Sequence, residues 1–220
     1  MTALRFRTVA FDLDGTLADT APDLAAALNH TLTFLGRRTV ALGEVRGMIG
    51  HGVRALLCNG LAATGGADDA TVDGGLPEMM RFYEAHICDL TTAYPGVVDA
   101  FDTLADRGVA LALCTNKAEQ LTHRLIDALG WRGRFAAIVG GDTLGVSKPD
   151  PAPLHHAIAL AGGGPAAFVG DSIIDMQTAR AAAVPGVVVS FGFADRPADQ
   201  LGADAVIDRY DALLSVLAAL

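Results

Sequence analysis

The apolar run Val9-Ala10-Phe11 stops at Asp12-Leu13-Asp14-Gly15-Thr16, two carboxylates one residue apart followed by a glycine and a hydroxyl. On an extended strand this spacing puts both acids on one side, about 7 Å apart. Carboxylates so placed repel each other and lose hydration, and a divalent cation with oxygen ligands is the simplest compensator. Gly15 lets the backbone turn sharply, and Thr16 can offer its hydroxyl or N–H to an anion. One carboxylate could then attack an electrophile while the other exchanges a proton with the leaving group and with water. A bare Asp-x-Asp better suits a strand end meeting solvent, the whole string Asp12 to Thr16 after an apolar strand better suits chemistry, and the other polar segments decide.

Three further segments carry chemistry-bearing residues: Thr115-Asn116-Lys117, Ser147-Lys148-Pro149 and Gly170-Asp171-Ser172-Ile173-Ile174-Asp175. Asp12, Asp14, Asp171 and Asp175 gathered around one point would carry about −4, which suits a hard cation of the Mg²⁺ type. Thr115 and Asn116 supply uncharged donors, and Lys148 supplies a point charge against a dianion. The assembly suits phosphoryl transfer, where positioning and charge neutralisation dominate. Lysine occurs only at 117 and 148, which makes each a candidate. Asp175 has a second reading, as a helix cap.

The elements that must position these residues follow from the pattern. Val9–Phe11, Val109–Cys114, Ala136–Val139, Ala167–Gly170, Val187–Val189 and Ala205–Ile207 read as strands, most of them apolar enough to be buried on both faces. Helical spacing separates them, so a parallel sheet covered on both faces is expected, with ligands at the strands' carboxyl ends. Between residues 19 and 92 no strand is evident. Thr20-Ala21-Pro22-Asp23 predicts a helix start with a hydroxyl cap. Val45, Met48 and Ile49 predict a second helix and Val53 to Leu61 a third. Val72 to Ile87 predicts a fourth, broken or kinked by Gly74, Gly75 and Pro77.

Composition narrows the class. No segment approaches the roughly 18 apolar residues of a membrane span and no leader is evident, so a cytoplasmic protein is expected. A net charge of −9 argues against nucleic acid or an anionic membrane as a partner, and requires any phosphate site to bring local positive charge. Cys58, Cys88 and Cys114 are odd in number and far apart, and read as reduced packing residues. Trp131 and Tyr83 likewise read as packing residues. His30, His86, His123, His155 and His156 show no metal-ligand spacing.

Taken in order and spacing, Asp12-Leu13-Asp14-Gly15-Thr16, Thr115-Asn116, Lys148-Pro149 and Gly170 to Asp175 resemble the four motifs of the haloacid dehalogenase superfamily. The resemblance implies an α/β fold: a Rossmann-like parallel-sheet core with helices on both faces, from residues 1–18 and 93–220. A small all-helical cap domain, residues 19–92, would be inserted after the first strand. It implies Asp12 as nucleophile, forming an aspartyl-phosphate, and Asp14 as general acid and base. Thr115 and Lys148 would hold the phosphoryl group, with Asn116 beside them. Mg²⁺ would be bound by Asp12, the backbone carbonyl of Asp14 and Asp171, with Asp175 supporting.

Gly50-His51-Gly52-Val53-Arg54-Ala55-Leu56 and Tyr94-Pro95-Gly96 are similar to the phosphoglycolate phosphatase subfamily. That similarity implies hydrolysis of a small phosphorylated metabolite, 2-phosphoglycolate first, by a monomer or homodimer. Gly50, His51 and Arg54 are the expected substrate-reading residues of the cap. Alternatives are a phosphatase for a sugar or sugar-acid phosphate, a sugar phosphomutase, and a non-catalytic binder of phosphorylated ligands. Asp14 disfavours carbon–halogen cleavage, whose halide leaves without a proton. The absence of lysine from 19–92 disfavours phosphonate hydrolysis through a cap imine. Ile173-Ile174 stand where many relatives carry polar residues.

Overall fold

The computed structural model describes residues 4–194 and 196–220. The chain opens with β1 (Thr8–Phe11), and β2 (Ala18–Asp19) leads into α1 (Ala21–Phe34), α2 (Leu42–Arg46), α3 (Val53–Ala63) and α4 (Asp69–Ala85). β3 (Thr92–Ala93) returns from this helical block. Strand and helix then alternate through α5 (Val97–Asp106), β4 (Ala110–Cys114), α6 (Glu119–Ala128), β5 (Ala137–Val139), α7 (Ala152–Leu160), β6 (Ala166–Gly170) and α8 (Ile173–Ala181). The chain ends with β7 (Gly186–Val189), β8 (Ala205–Ile207) and α9 (Leu213–Ala219).

The six longer strands form one parallel sheet in the order β5-β4-β1-β6-β7-β8. Burial on both faces explains their apolar runs, and the two-residue period assigns each side chain a face. Val9, Phe11, Leu111, Leu113, Ala167 and Val169 meet residues of α5, α6 and α9 on one face. Ala10, Ala112, Cys114 and Phe168 meet α7 and α8 on the other. β1 lies at the centre, paired with β4 and β6. The chain moves outward to one side through β4 and β5, then crosses to the other through β6. A crevice therefore opens beyond the carboxyl end of β1, where a doubly wound sheet binds its ligands.

The helices between β2 and β3 build an apolar cluster of their own around Leu28, Leu32, Leu57, Leu61, Met79 and Tyr83, with Leu121 of α6 joining from below. α4 runs unbroken from Asp69 to Ala85 although Pro77 removes one of its internal hydrogen bonds. Gly75 is a close-approach site rather than a break, since a Cβ there would lie 2.8 Å from Leu35 and 3.3 Å from Leu57 and Thr31. Packing of that face outweighs the local propensity.

Other expectations are corrected locally. β2 and β3 pair antiparallel and form a two-stranded ribbon where the chain enters and leaves the helical block. α2 ends at Arg46, before Met48 and Ile49. Thr20 does not cap α1: its backbone is already helical, and its buried hydroxyl has no hydrogen-bond partner. Asp19 Oδ1 accepts from Ala21 N at 3.3 Å instead. All three cysteines are free, and Cys58 is exposed rather than packed. Trp131 packs edge-on against Phe101, as its apolar setting suggests. No helix among the described residues is long and apolar enough to cross a membrane.

Candidate active site

Asp12 is the first residue beyond β1, held by its N–H donating to Val169 O at 2.9 Å. The residue is 8 % exposed at the sheet's carboxyl edge. Burial, above all, pushes its carboxyl up to about 6; Lys148 opposes the shift, whereas Asp175 and Asp14 reinforce it.

β6 delivers Asp171 to the same point. Asp171 Oδ1 accepts from the Thr16 hydroxyl at 3.0 Å, and Oδ2 from Phe193 N at 2.7 Å. Burial and the nearby Asp175 and Asp12 carboxylates still hold its carboxyl well above the usual range. Thr16 is therefore spent on Asp171 rather than left for an incoming anion. Phe193, from the loop after β7, carries no motif that would have singled it out.

Asp175 is fully buried in the first turn of α8. Ser172 caps that helix, and the two residues form a reciprocal capping box. Asp175 Oδ2 accepts from Ser172 N at 3.0 Å, Ser172 Oγ at 2.6 Å and Asp171 N at 3.2 Å. Its other oxygen accepts from Lys148 Nζ at 2.6 Å. Gly170 is required here, because a Cβ would come within 2.7 Å of Asp175 Oδ2.

Lys148 reaches across from the loop before α7, its side chain 2 % exposed, with Nζ also 2.9 Å from Asp12 Oδ1. Desolvation would lower this ammonium, but Asp12 and Asp175 outweigh it and hold the group charged. Asn116, just past β4, pins the Lys148 backbone: Oδ1 accepts from Lys148 N at 2.9 Å and Nδ2 donates to Lys148 O at 3.1 Å. Its amide is thus engaged by the protein. Thr115 is buried beside it, with its N–H bound to Val139 O at 3.0 Å.

Asp14 borders the same cavity but takes a different partner. β1 ends at Phe11, so the two acids lie in the following loop rather than in one strand register. Lys117 Nζ donates to Asp14 Oδ1 at 3.0 Å and Oδ2 at 3.1 Å, and contacts Tyr83 Oη at 2.7 Å. Burial would depress the Lys117 ammonium, but Asp14 and Tyr83 prevail and raise it. Burial pushes the Tyr83 phenol up to about 12. Scarcity of lysine hinted at Lys117; Tyr83, a packing residue by its spacing, instead places its hydroxyl against that ammonium.

A narrow cavity separates the helical block from the sheet edge. One lobe of about 30 Å³ is lined by Asp12, Asp14, Thr115, Asn116 and Lys117 below and by Leu24, Ile49, Gly50, Val53 and Leu56 above. A second, of about 20 Å³, lies among Asp12, Lys148, Asp171, Ile174 and Phe193, and Gly50 lines it as well. Gly50 O accepts from Asn116 Nδ2 at 2.9 Å. His51 is exposed and lines neither lobe. Arg54 is also outside both, its side chain 51 % exposed and paired with Asp73 at 2.5 Å. The structure therefore brings Asp12, Asp14, Thr115, Asn116, Lys148, Asp171, Asp175 and Gly50 together, and leaves His51 and Arg54 apart.

The donor set fits a hard divalent cation. Asp12, Asp171 and Asp175 each offer a carboxylate oxygen, all within 4.8 Å of one another. Asp12 Oδ1 has Lys148 near it but no aligned hydrogen bond. Asp12 and Asp171, whose ionisation burial opposes, gain most from a cation with oxygen ligands.

Comparison with known proteins identifies the family. A family model described as haloacid dehalogenase-like hydrolase matches residues 6–183. A protein of Caulobacter vibrioides named phosphoglycolate phosphatase is 43 % identical over 206 residues, 92 % of this chain and 87 % of that one. One of the same name from Mesorhizobium japonicum is 43 % identical over 213 residues, 96 % and 94 % of the two chains. A crystal structure described as a predicted phosphoglycolate phosphatase, from Haemophilus somnus, superposes with a TM-score of 0.91 at 27 % identity, covering 96 % of this chain and 98 % of that one.

Proposed function

The chain belongs to the haloacid dehalogenase-like hydrolases and is a phosphatase, and from that premise we propose that it hydrolyses 2-phosphoglycolate through a phosphorylated Asp12. The observation that carries this reading is the meeting of Asp12, Lys148 and Asp171 at one buried point. The names of its relatives supply the substrate.

In the first step an Asp12 oxygen attacks phosphorus, the bond from phosphorus to the ester oxygen breaks, and Asp14 gives that oxygen its proton. Asp14, now ionised, takes a proton from water as the water attacks the phosphorus of phosphorylated Asp12. Inorganic phosphate leaves and the Asp12 carboxylate is restored. Lys148 balances charge on the phosphoryl oxygens, with Thr115 as an uncharged donor. Asp12, Asp171 and the backbone carbonyl of Asp14 would hold Mg²⁺, with Asp175 behind them. Bound there, Mg²⁺ would neutralise the charge of the transferring group.

Residues 19–92 act as a cap over a core of residues 1–18 and 93–220. The mostly apolar roof of the cavity supports this, because it would shield the phosphorylated aspartate from stray water. The test is a metabolite panel assayed with Mg²⁺ and ranked by kcat/KM. 2-Phosphoglycolate should rank first, ahead of sugar phosphates. Isomerisation of a sugar 1-phosphate without phosphate release would point to a mutase, and failure on every ester would end the reading.

A further inference from the structure

Asp14 is held by a buried relay that leaves the core. Lys117, in the turn after β4, spans from the two Asp14 oxygens to Tyr83 Oη in the middle of the helical block. The Lys117 side chain is 2 % exposed and Tyr83 is fully buried. An ammonium has three N–H donors, and three acceptor atoms surround this one. Lys117 therefore keeps no donor for a substrate, although it borders the cavity. Val72 and Met79, buried on α4 with Tyr83, are apolar. Among the described residues the Tyr83 hydroxyl has one hydrogen-bond partner, Lys117.

We infer that Lys117 and Tyr83 are positioning residues that aim the Asp14 carboxylate for proton transfer and tie that aim to the seating of α4 on the core. The inference rests on the proposed role of Asp14 as general acid and base. A carboxylate in a loop beyond its strand is free to rotate; two contacts to one ammonium fix its plane. Because Tyr83 belongs to the helical block, lifting that block removes one of the three contacts at Nζ. Asp14 then has a weaker anchor whenever the site is open to solvent, and regains it when the block settles over a substrate.

The experiment compares two esters. One is the alkyl phosphate the wild-type enzyme hydrolyses best, whose alkoxide needs a proton to leave. The other is 2,4-dinitrophenyl phosphate, whose leaving group departs without one. kcat/KM reports every step through departure of the leaving group, so it isolates the role of Asp14 as acid. Lys117→Met should lower kcat/KM for the alkyl ester at least about tenfold more than for the aryl ester, within the range general acids contribute. Tyr83→Phe should act in the same direction and more weakly.

In an Asp14→Asn background neither substitution should cost the alkyl ester anything further, since both act through Asp14. Circular-dichroism melts check folding, and Tyr83→Phe, which deletes a single oxygen, carries the test if Lys117→Met does not fold. Equal losses on both esters, no loss on either, or losses that persist beside Asp14→Asn would each overturn the inference. A wild-type enzyme inactive on both esters would instead defeat the phosphatase reading on which it stands.

Discussion

Lys148 Nζ lies 2.9 Å from Asp12 Oδ1, with both side chains almost fully buried. The relation has a counterpart two residues along, where Lys117 takes Asp14. The chain's only two lysines are thus each assigned to one member of the Asp12-Leu13-Asp14 pair. The two acids thus sit in different electrical settings: Asp12 lies within the Asp171 and Asp175 group, while Asp14 is paired with its own ammonium. The proposed division into nucleophile and proton donor rests on that difference.

Asp12→Asn tests that division. An amide cannot attack phosphorus, so turnover should fall by at least about 10³-fold, as when an activated nucleophile is removed elsewhere. The same change replaces a carboxyl that burial makes costly to ionise, and leaves an amide oxygen facing Lys148. Its melting temperature at pH 7 should therefore be at least that of the wild type. Retained turnover would remove Asp12 from its assigned role.

Asp175 should behave oppositely, as a structural acid. It accepts from Lys148 and from three donors at the start of α8. Asp175→Ala leaves the Lys148 ammonium short of a buried partner, a defect that costs about 3–5 kcal/mol. At this chain length that is roughly 10 °C in melting temperature. Asp175→Asn, which keeps an acceptor, should cost less. An unchanged melt for the alanine variant would show that the network is dispensable.

The sheet and the polar residues at its edge were legible because both obey short periods. Val9, Phe11, Leu111 and Leu113 alternate faces with Ala10 and Ala112, and the chemistry begins one residue past β1, β4 and β6. What a side chain reaches across space has no such period. Nothing local to Lys117 says that Tyr83, 34 positions earlier, will meet it. Propensity misjudged α4, where close packing at Gly75 holds a helix through Pro77. β2 and β3 are two residues each, too short to leave a pattern.

Proton linkage gives a third outcome. Asp12 has its carboxyl raised from 3.8 to about 6 in the fold, so between those values the folded chain binds more protons than the unfolded one. Stability from this group therefore falls as pH rises from about 4 to about 6, and a raised Asp171 adds in the same direction. A divalent cation favours the ionised carboxylates and should offset that loss. Added Mg²⁺ should raise the melting temperature more at pH 7.5 than at pH 5, with EDTA reversing it. An equal rise at both would contradict these two carboxylates as its ligands.

Motion of the helical block is expected from how closely it covers the site. The lobes beside Asp12 and Asp14 are narrow, about 30 and 20 Å³, and the larger lies under Ile49, Gly50, Val53 and Leu56. A phosphate ester should enter more readily when that roof lifts from the core. Asn116 is one direct tie against that movement, with Nδ2 donating 2.9 Å to Gly50 O, beside the bond from Lys117 to Tyr83. Asn116→Ala deletes this bond and the two that hold the Lys148 backbone. Amides of residues 47–53 should exchange with deuterium faster in the variant than in the wild type. In the wild type, vanadate with Mg²⁺ should slow the same amides by holding the roof down on a bound phosphate mimic. Exchange that ignored both the substitution and the mimic would mean the roof is fixed, and substrate would then need another way in.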